Sequence, residues 1–179
     1  MRSTKGILTA GAMQFPCILG RSGRRHLKKE GDGATPVGNW RLFRILYRPD
    51  RGLPLKSRLA AGTLAASDGW CDQVGDRNYN RPVHLPYPAA HEAMWRGDHL
   101  YDVVVTLSHN QRPRSQGRGS AVFLHLADPD GKPTAGCIAL SRRDMATVLA
   151  VCGKSTRLVV WPSGLRKSRS PPAQKSRRR

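Results

Sequence analysis

Glycine and proline interrupt this chain so often that few helices can form within it. Gly20, Gly23, Gly31, Gly33, Pro36, Gly38, Pro49 and Gly52 punctuate the first third alone. Glycine's access to positive φ and proline's missing N–H make such positions turns or element boundaries. The stretches between them suit strands. Residues 39–47 (NWRLFRILY) alternate, which sends Trp40, Leu42 and Leu46 to one face and Phe43, Ile45 and Tyr47 to the other. Residues 102–107, 121–126 and 157–161 are compact apolar runs that read as buried strands, and residues 7–9 begin a first strand. Two short helices are expected. One covers residues 88–95, with Pro88 in its first turn and Gly97 past its end. The other starts at Ser141, with Asp144 taking the place of Glu in a capping box. Its Met145, Val148, Leu149 and Cys152 lie at i, i+3, i+4 and i+7, and Gly153 is its stop. The fold class is therefore mainly β with a few short helices, in a single body over residues 5–162. A chain of 179 residues supplies one hydrophobic core and is short for two.

The charge is lopsided: 31 Lys and Arg against 12 Asp and Glu, a formal +19. Residues 163–179 (SGLRKSRSPPAQKSRRR) hold seven of the cations, no acid and two adjacent prolines. With almost nothing to bury, this tail is expected to be disordered. The remainder is still strongly basic and attracts polyanions, whether nucleic acid, anionic lipid or acidic cell-wall polymer. Aromatic residues are only 6% of the chain, and no RRM, KH or zinc-knuckle pattern occurs, so specific nucleic-acid recognition is not expected. No run approaches the roughly 18 apolar residues of a membrane span. The N-terminal stretch is broken by Gln14 and Pro16 and shows no signal peptide. The four cysteines and six histidines form no compact ligand pair, so neither a metal nor a cofactor is expected. If one thiol is kept for chemistry, at most one disulfide can form.

Chemistry concentrates in residues 123–140 (FLHLADPDGKPTAGCIAL). A strand delivers His125, a polar loop turns the chain, and Thr134-Ala-Gly-Cys137 brings it back in a hairpin-like return. A thiol with a free pKa of about 8.5 needs a base or a positive charge beside it to react at neutral pH. Imidazole is well suited to take and return that proton. Gly136 would let the backbone approach a substrate carbonyl, with the Gly136 and Cys137 amides aimed at the oxygen of a tetrahedral intermediate. Judged on residues alone, an inert buried thiol and a core histidine fit the same spacing. Trp70, Cys71 and Tyr79 fit a substrate wall or core packing, and His109-Asn110 a cleft lining or a turn cap. Cys17 and Cys152 read as packing.

The same stretch resembles the catalytic signature of the YkuD-type L,D-transpeptidases, in which a strand end supplies a histidine and a Ser/Thr-x-Gly-Cys segment supplies the nucleophile. His125, Thr134 and Gly136-Cys137 fall on those positions. Residues 29–39 (KEGDGATPVGN) are similar to the family's early Gly-x-Thr-Pro-x-Gly segment. Gly69-Trp-Cys-Asp72, Tyr79-Asn-Arg-Pro82, Ser108-His-Asn110 and residues 117–125 (GRGSAVFLH) follow in the family's order. The resemblance implies a single β-sandwich-type domain. Cys137 would attack the bond between the diamino acid and D-Ala of a peptidoglycan tetrapeptide stem and pass the acyl group to an amine. His125 would be the general acid and base, its far ring nitrogen held by a backbone carbonyl such as that of Leu126. Thr134, Arg118, His109, Trp70 and Tyr79 are the expected substrate contacts. Ala135 and Ala139 depart from the signature: many relatives carry His at the first position and Arg at the second. Arg118, Arg142 and Arg143 are the candidate replacements for that arginine. The His-to-Cys interval is also short, which implies a trimmed loop on the acceptor side. Water as acceptor would make an L,D-carboxypeptidase, and a basic nucleic-acid binder without catalysis is the alternative outside enzymology. The implied setting is a monomer in the cell envelope or periplasm, with the basic tail on anionic wall polymer.

Overall fold

The computed structural model describes residues 3–52 and 56–164. β1 (Lys5–Ala10) and β2 (Met13–Ile18) form an antiparallel hairpin around Gly11, whose φ of +61° suits glycine. β3 (Arg24–Arg25) and β4 (Thr35–Pro36) make a short parallel ribbon. β5 (Gly38–Tyr47), β6 (Ala60–Thr63), β7 (Asp68–Cys71), β8 (Arg81–His84) and β9 (His91–Ala93) follow. The chain then forms β10 (Val103–Leu107), β11 (Phe123–Leu126), β12 (Ile138–Leu140), the helix α1 (Arg142–Ala150) and β13 (Arg157–Val160). The main sheet has the order β1-β2-β12-β11-β10-β5-β13 with β6 added to β5, and a three-stranded sheet has the order β8-β7-β9. The domain is mainly β with one helix among the described residues, in keeping with the fold expected from the sequence.

β10 explains the layering. All five of its residues are buried, so both faces of the main sheet are covered at its middle. Val103, Val105 and Leu107 pack into a core that contains Met145, Val148 and Leu149 of α1. Val104 faces the opposite way, into a second core with Trp70, Met94, Phe123 and Cys137 beneath the three-stranded sheet. β11 obeys the same period of two. Leu124 and Leu126 join the helix-side core, which leaves Phe123 and His125 on the other face.

Several expectations are corrected. The alternation expected along β5 breaks at a bulge, because Val105 pairs with Ile45 while Leu107 pairs with Leu42. The extra residue brings Trp40, Leu42, Ile45 and Tyr47 to the helix-side core and leaves Phe43 exposed. The helix expected over residues 88–95 is absent. His91–Ala93 is instead a strand, with Cys71 opposite His91 and Gly69 opposite Ala93. A helix that short is marginal alone, whereas the extended form gains ladder bonds on β7. The hairpin-like return after His125 is not a hairpin either, since β11 and β12 run parallel and residues 127–137 carry the chain back to the same end. The helix at Ser141 is present, and the Ser141 hydroxyl accepts from the Asp144 amide at 3.1 Å. It ends at Ala150 on bonds from Val151 to Val148 and Cys152 to Leu149, so Cys152 is buried just beyond the helix. All four cysteines are free and buried. Of the expected basic tail, residues 165–179 lie outside the described residues.

Leu149 is fully buried where α1 meets the main sheet. Leu149→Ala should lower unfolding free energy by about 2–5 kcal/mol. Val151→Ala, at an exposed position just past the helix, should change it by less than about 0.5 kcal/mol. Urea unfolding of the two variants checks the contrast.

Candidate active site

Pairing of Leu124 with Ile138 and His125 with Ala139 sets the residue before β12, Cys137, beside Phe123 on the face away from α1. Cys137 is 7% exposed. Its Sγ receives the Phe123 N–H at 3.2 Å and donates to the Ala121 carbonyl at 3.2 Å. Ala121 adopts a φ of +47°, a left-handed conformation that costs a non-glycine residue about 1–2 kcal/mol. Burial, with the Glu92 charge adding to it, pushes the Cys137 thiol up to about 12, against the opposing pull of the Phe123 amide and Lys28.

The loop that presents Cys137 is fixed from several sides. The Thr134 hydroxyl donates to the Cys137 carbonyl at 2.7 Å and accepts from the Gly136 amide at 3.1 Å. The Thr35 hydroxyl, fully buried in β4, reaches the same carbonyl at 3.3 Å and accepts from the Gly20 amide at 2.9 Å. Thr134 also bridges to the end of β2 through bonds between its backbone and those of Leu19 and Arg21. Gly136 has a φ of +144°, and a Cβ there would stand 2.9 Å from the Ala34 carbonyl, so both conformation and space call for glycine. Because Thr134 occupies the Gly136 amide, the Cys137 amide is the better placed of the two to meet a substrate oxygen.

His125 is 5% exposed, and its Nδ1 stands 2.7 Å from the Leu126 carbonyl. A carbonyl only accepts, so Nδ1 carries the proton and Nε2 is left as the basic nitrogen. The Tyr101 ring meets the imidazole edge-on with centroids 5.3 Å apart. Burial lowers the His125 pKa to about 4, opposed by the Leu126 carbonyl and assisted by the Arg96 charge.

Cys137 and His125 line one cleft of about 610 Å³, with Thr134, Gly136, Lys28 and Tyr101 among its walls. Arg96 also lines it, stacked over the Tyr101 ring at 5.1 Å and ion-paired to Asp98. Tyr101 donates to Glu92 at 2.8 Å, and burial raises the Glu92 carboxyl above its ordinary range. Of the expected substrate contacts, only Thr134 lines this cleft. Trp70 packs behind it, edge-on to Phe123 at 5.0 Å, with its indole N–H on Asn80. Tyr79 is fully buried, donates to Glu30 and accepts from the Gly119 amide. His109 is buried against Trp40, with Nε2 on the Arg118 carbonyl, while the Arg118 side chain is exposed. Asn110 is the turn cap, bonded to the backbone of Ser115 and Gly119. Arg142 binds Asp102, and the Arg143 side chain is exposed on α1. The cation near His125 is therefore Arg96, which the sequence did not single out. Tyr101 and Glu92 were missed as well, and Lys28 stands one residue before the Thr-Pro segment recognised in the sequence. The only local hint was the spacing of Lys28 and Asp32, an i, i+4 ion pair at 2.7 Å.

The chain matches the L,D-transpeptidase catalytic domain family, YkuD, over residues 8–160. No curated protein and no solved structure matches it. The matched stretch runs from within β1 to the last residue of β13, and so takes in every strand of the main sheet and the whole cleft. The chain belongs to the YkuD family of L,D-transpeptidase catalytic domains.

Proposed function

We propose that this domain is a peptidoglycan L,D-transpeptidase with Cys137 as nucleophile and His125 as general acid and base. The observation that carries this reading is their shared setting. Both side chains leave the same face of the β11–β12 pair, both line one cleft, and the Leu126 carbonyl leaves His125 Nε2 as the basic nitrogen. In the first step the thiol turns from the Ala121 carbonyl and gives its proton to Nε2 as Sγ attacks the carbonyl between the diamino acid and terminal D-Ala of a tetrapeptide stem. The negative oxygen meets the Cys137 amide. The tetrahedral intermediate collapses, the C–N bond breaks, and the imidazolium returns its proton to the D-Ala amine, leaving a thioester. In the second step an amine of another stem attacks the thioester, His125 takes its proton, and Cys137 leaves as the thiol. Water in place of that amine would release a shortened stem, the L,D-carboxypeptidase outcome, and product masses distinguish the two.

The unequal pKa values favour proton transfer during attack over a preformed thiolate–imidazolium pair. With the thiol near 12 and the imidazole near 4, both groups are neutral at pH 7. Action on the cell wall places the substrate in the envelope, and no helix among the described residues is long and apolar enough to cross a membrane. Residues 5–162 would form the catalytic body, and the cationic stretch over residues 163–179 would add low-salt attraction to anionic wall polymer.

Two predictions follow from this chemistry. Incubation with a carbapenem or a tetrapeptide stem should give a stoichiometric covalent adduct on Cys137, read by intact mass. Cys137→Ala should abolish the adduct, while Cys17→Ala, Cys71→Ala and Cys152→Ala should retain it; acylation of the Cys137 variant would remove Cys137 from the mechanism.

The second concerns His125→Gln, which should slow acylation per folded molecule by roughly 10²–10⁴, with a smaller loss at high pH where hydroxide can take the thiol proton. In the parent protein, only neutral imidazole can act as base. With a folded pKa of about 4, that form persists as pH falls through 6.5 and is lost only on approach to 4. Acylation rates measured from pH 4 to 8 should therefore show no loss centred near 6.5.

A further inference from the structure

The mechanism proposed above uses none of the charged side chains that line the cleft, and of these Lys28 alone is buried. Lys28 is 5% exposed and lines the same cleft as Cys137. Its Nζ stands 3.4 Å from where a Gly136 Cβ would sit, with its stem against Gly119. An ammonium carries three donors, and two of these serve its own loop, on Asp32 Oδ1 at 2.7 Å and the Lys29 carbonyl at 3.1 Å. Asp32 is held in place in turn: it accepts from the Lys29 and Ala34 amides, and Arg25 lies 3.6 Å away. A buried ion pair is weak evidence of added stability, since apolar residues of like volume often serve as well. Its position against the nucleophile loop therefore calls for a ligand-facing role.

Direction along the cleft names the ligand. The leaving amine must meet His125, so the leaving side lies towards His125, Tyr101 and Arg96. The acyl part of the donor then extends towards Gly136, Lys28 and Arg21, all of which line the cleft. We infer that Lys28 is a specificity-determining residue that binds a free carboxylate on the acyl side of the donor peptide. The choice of donor peptide rests on the transpeptidase reading; the presence of an anion-binding cation beside Cys137 does not.

The test has two arms on the full chain. In the first, Cys137 alkylation by iodoacetate and by iodoacetamide is followed by peptide mass at low salt. The two reagents differ chiefly in a carboxylate. The iodoacetate-to-iodoacetamide rate ratio should be higher in the folded protein than in urea. It should fall about tenfold in Lys28→Gln, which retains a donor for Asp32, and recover in Lys28→Arg, as expected for loss of a hydrogen bond to a charged group. A folded ratio no higher than that in urea overturns the proposal without recourse to any variant. Equal slowing of both reagents in Lys28→Gln also overturns it, since Lys28 would then act on the thiol. In the second arm, tetrapeptide donors with free or amidated acyl-side carboxylates are compared. Lys28→Gln should lose about tenfold or more in kcat/KM for the free acid, mainly through KM, and little for the amide. Equal losses on both donors overturn the assignment. If the parent protein acylates with neither donor while the alkylation ratio behaves as expected, the transpeptidase reading fails and the anion site stands.

Discussion

The register between β11 and β12 is the constraint on which the rest of the site depends. Leu124 opposite Ile138 sends three leucines and an isoleucine towards α1, and in the same stroke sends Phe123, His125 and Cys137 to the other side. Because side chains alternate with a period of two, a slip of one residue would exchange the faces. The strand that slipped would then carry its imidazole or thiol into the helix-side core and turn its leucines to the cleft, which parts the pair. Core packing and site assembly are therefore one selection. The buried β10, paired with β11 on one edge and β5 on the other, keeps both faces of the sheet closed around it.

Much of this was legible in the sequence, for local reasons. The valine run of β10, the alternation around His125 and the Ser141 cap are encoded within a few residues of each element. So is the Gly-Cys pair, where the positive φ of Gly136 and the nearby Ala34 carbonyl exclude a side chain. The losses have a common physical origin in contacts between distant segments. Nothing within residues 39–47 announces the bulge, which exists because Leu42 and Ile45 must reach the same core. The helix expected over residues 88–95 yields to a strand because β7 offers an edge. Trp70 and Tyr79 were noticed as aromatic residues beside family motifs, but their partners Phe123 and Glu30 turn them inward. Arg96 and Tyr101 have no distinguishing local pattern and Lys28 has only its spacing from Asp32, and it is the fold that brings all three to the cleft.

The cleft is also electrically unusual. Glu92 sits among Tyr101 and Arg96 on one side, and Lys28 is matched with Asp32 on the other while keeping a third N–H donor for a ligand. Such matching limits the cost of holding ionised groups in a poorly hydrated space. It also leaves burial as the main influence on Cys137 and His125, both of which rest uncharged.

The sheltered thiol of Cys137 has a consequence for endurance. Peroxides and disulfides consume thiolate, and a sulfur held protonated offers them little of it. Its own hydrogen bond to the Ala121 carbonyl occupies the proton that an oxidant would need removed. With no disulfide among the four cysteines, the fold also owes nothing to a redox partner. The same burial that makes the resting sulfur sluggish thus limits its loss to oxidants.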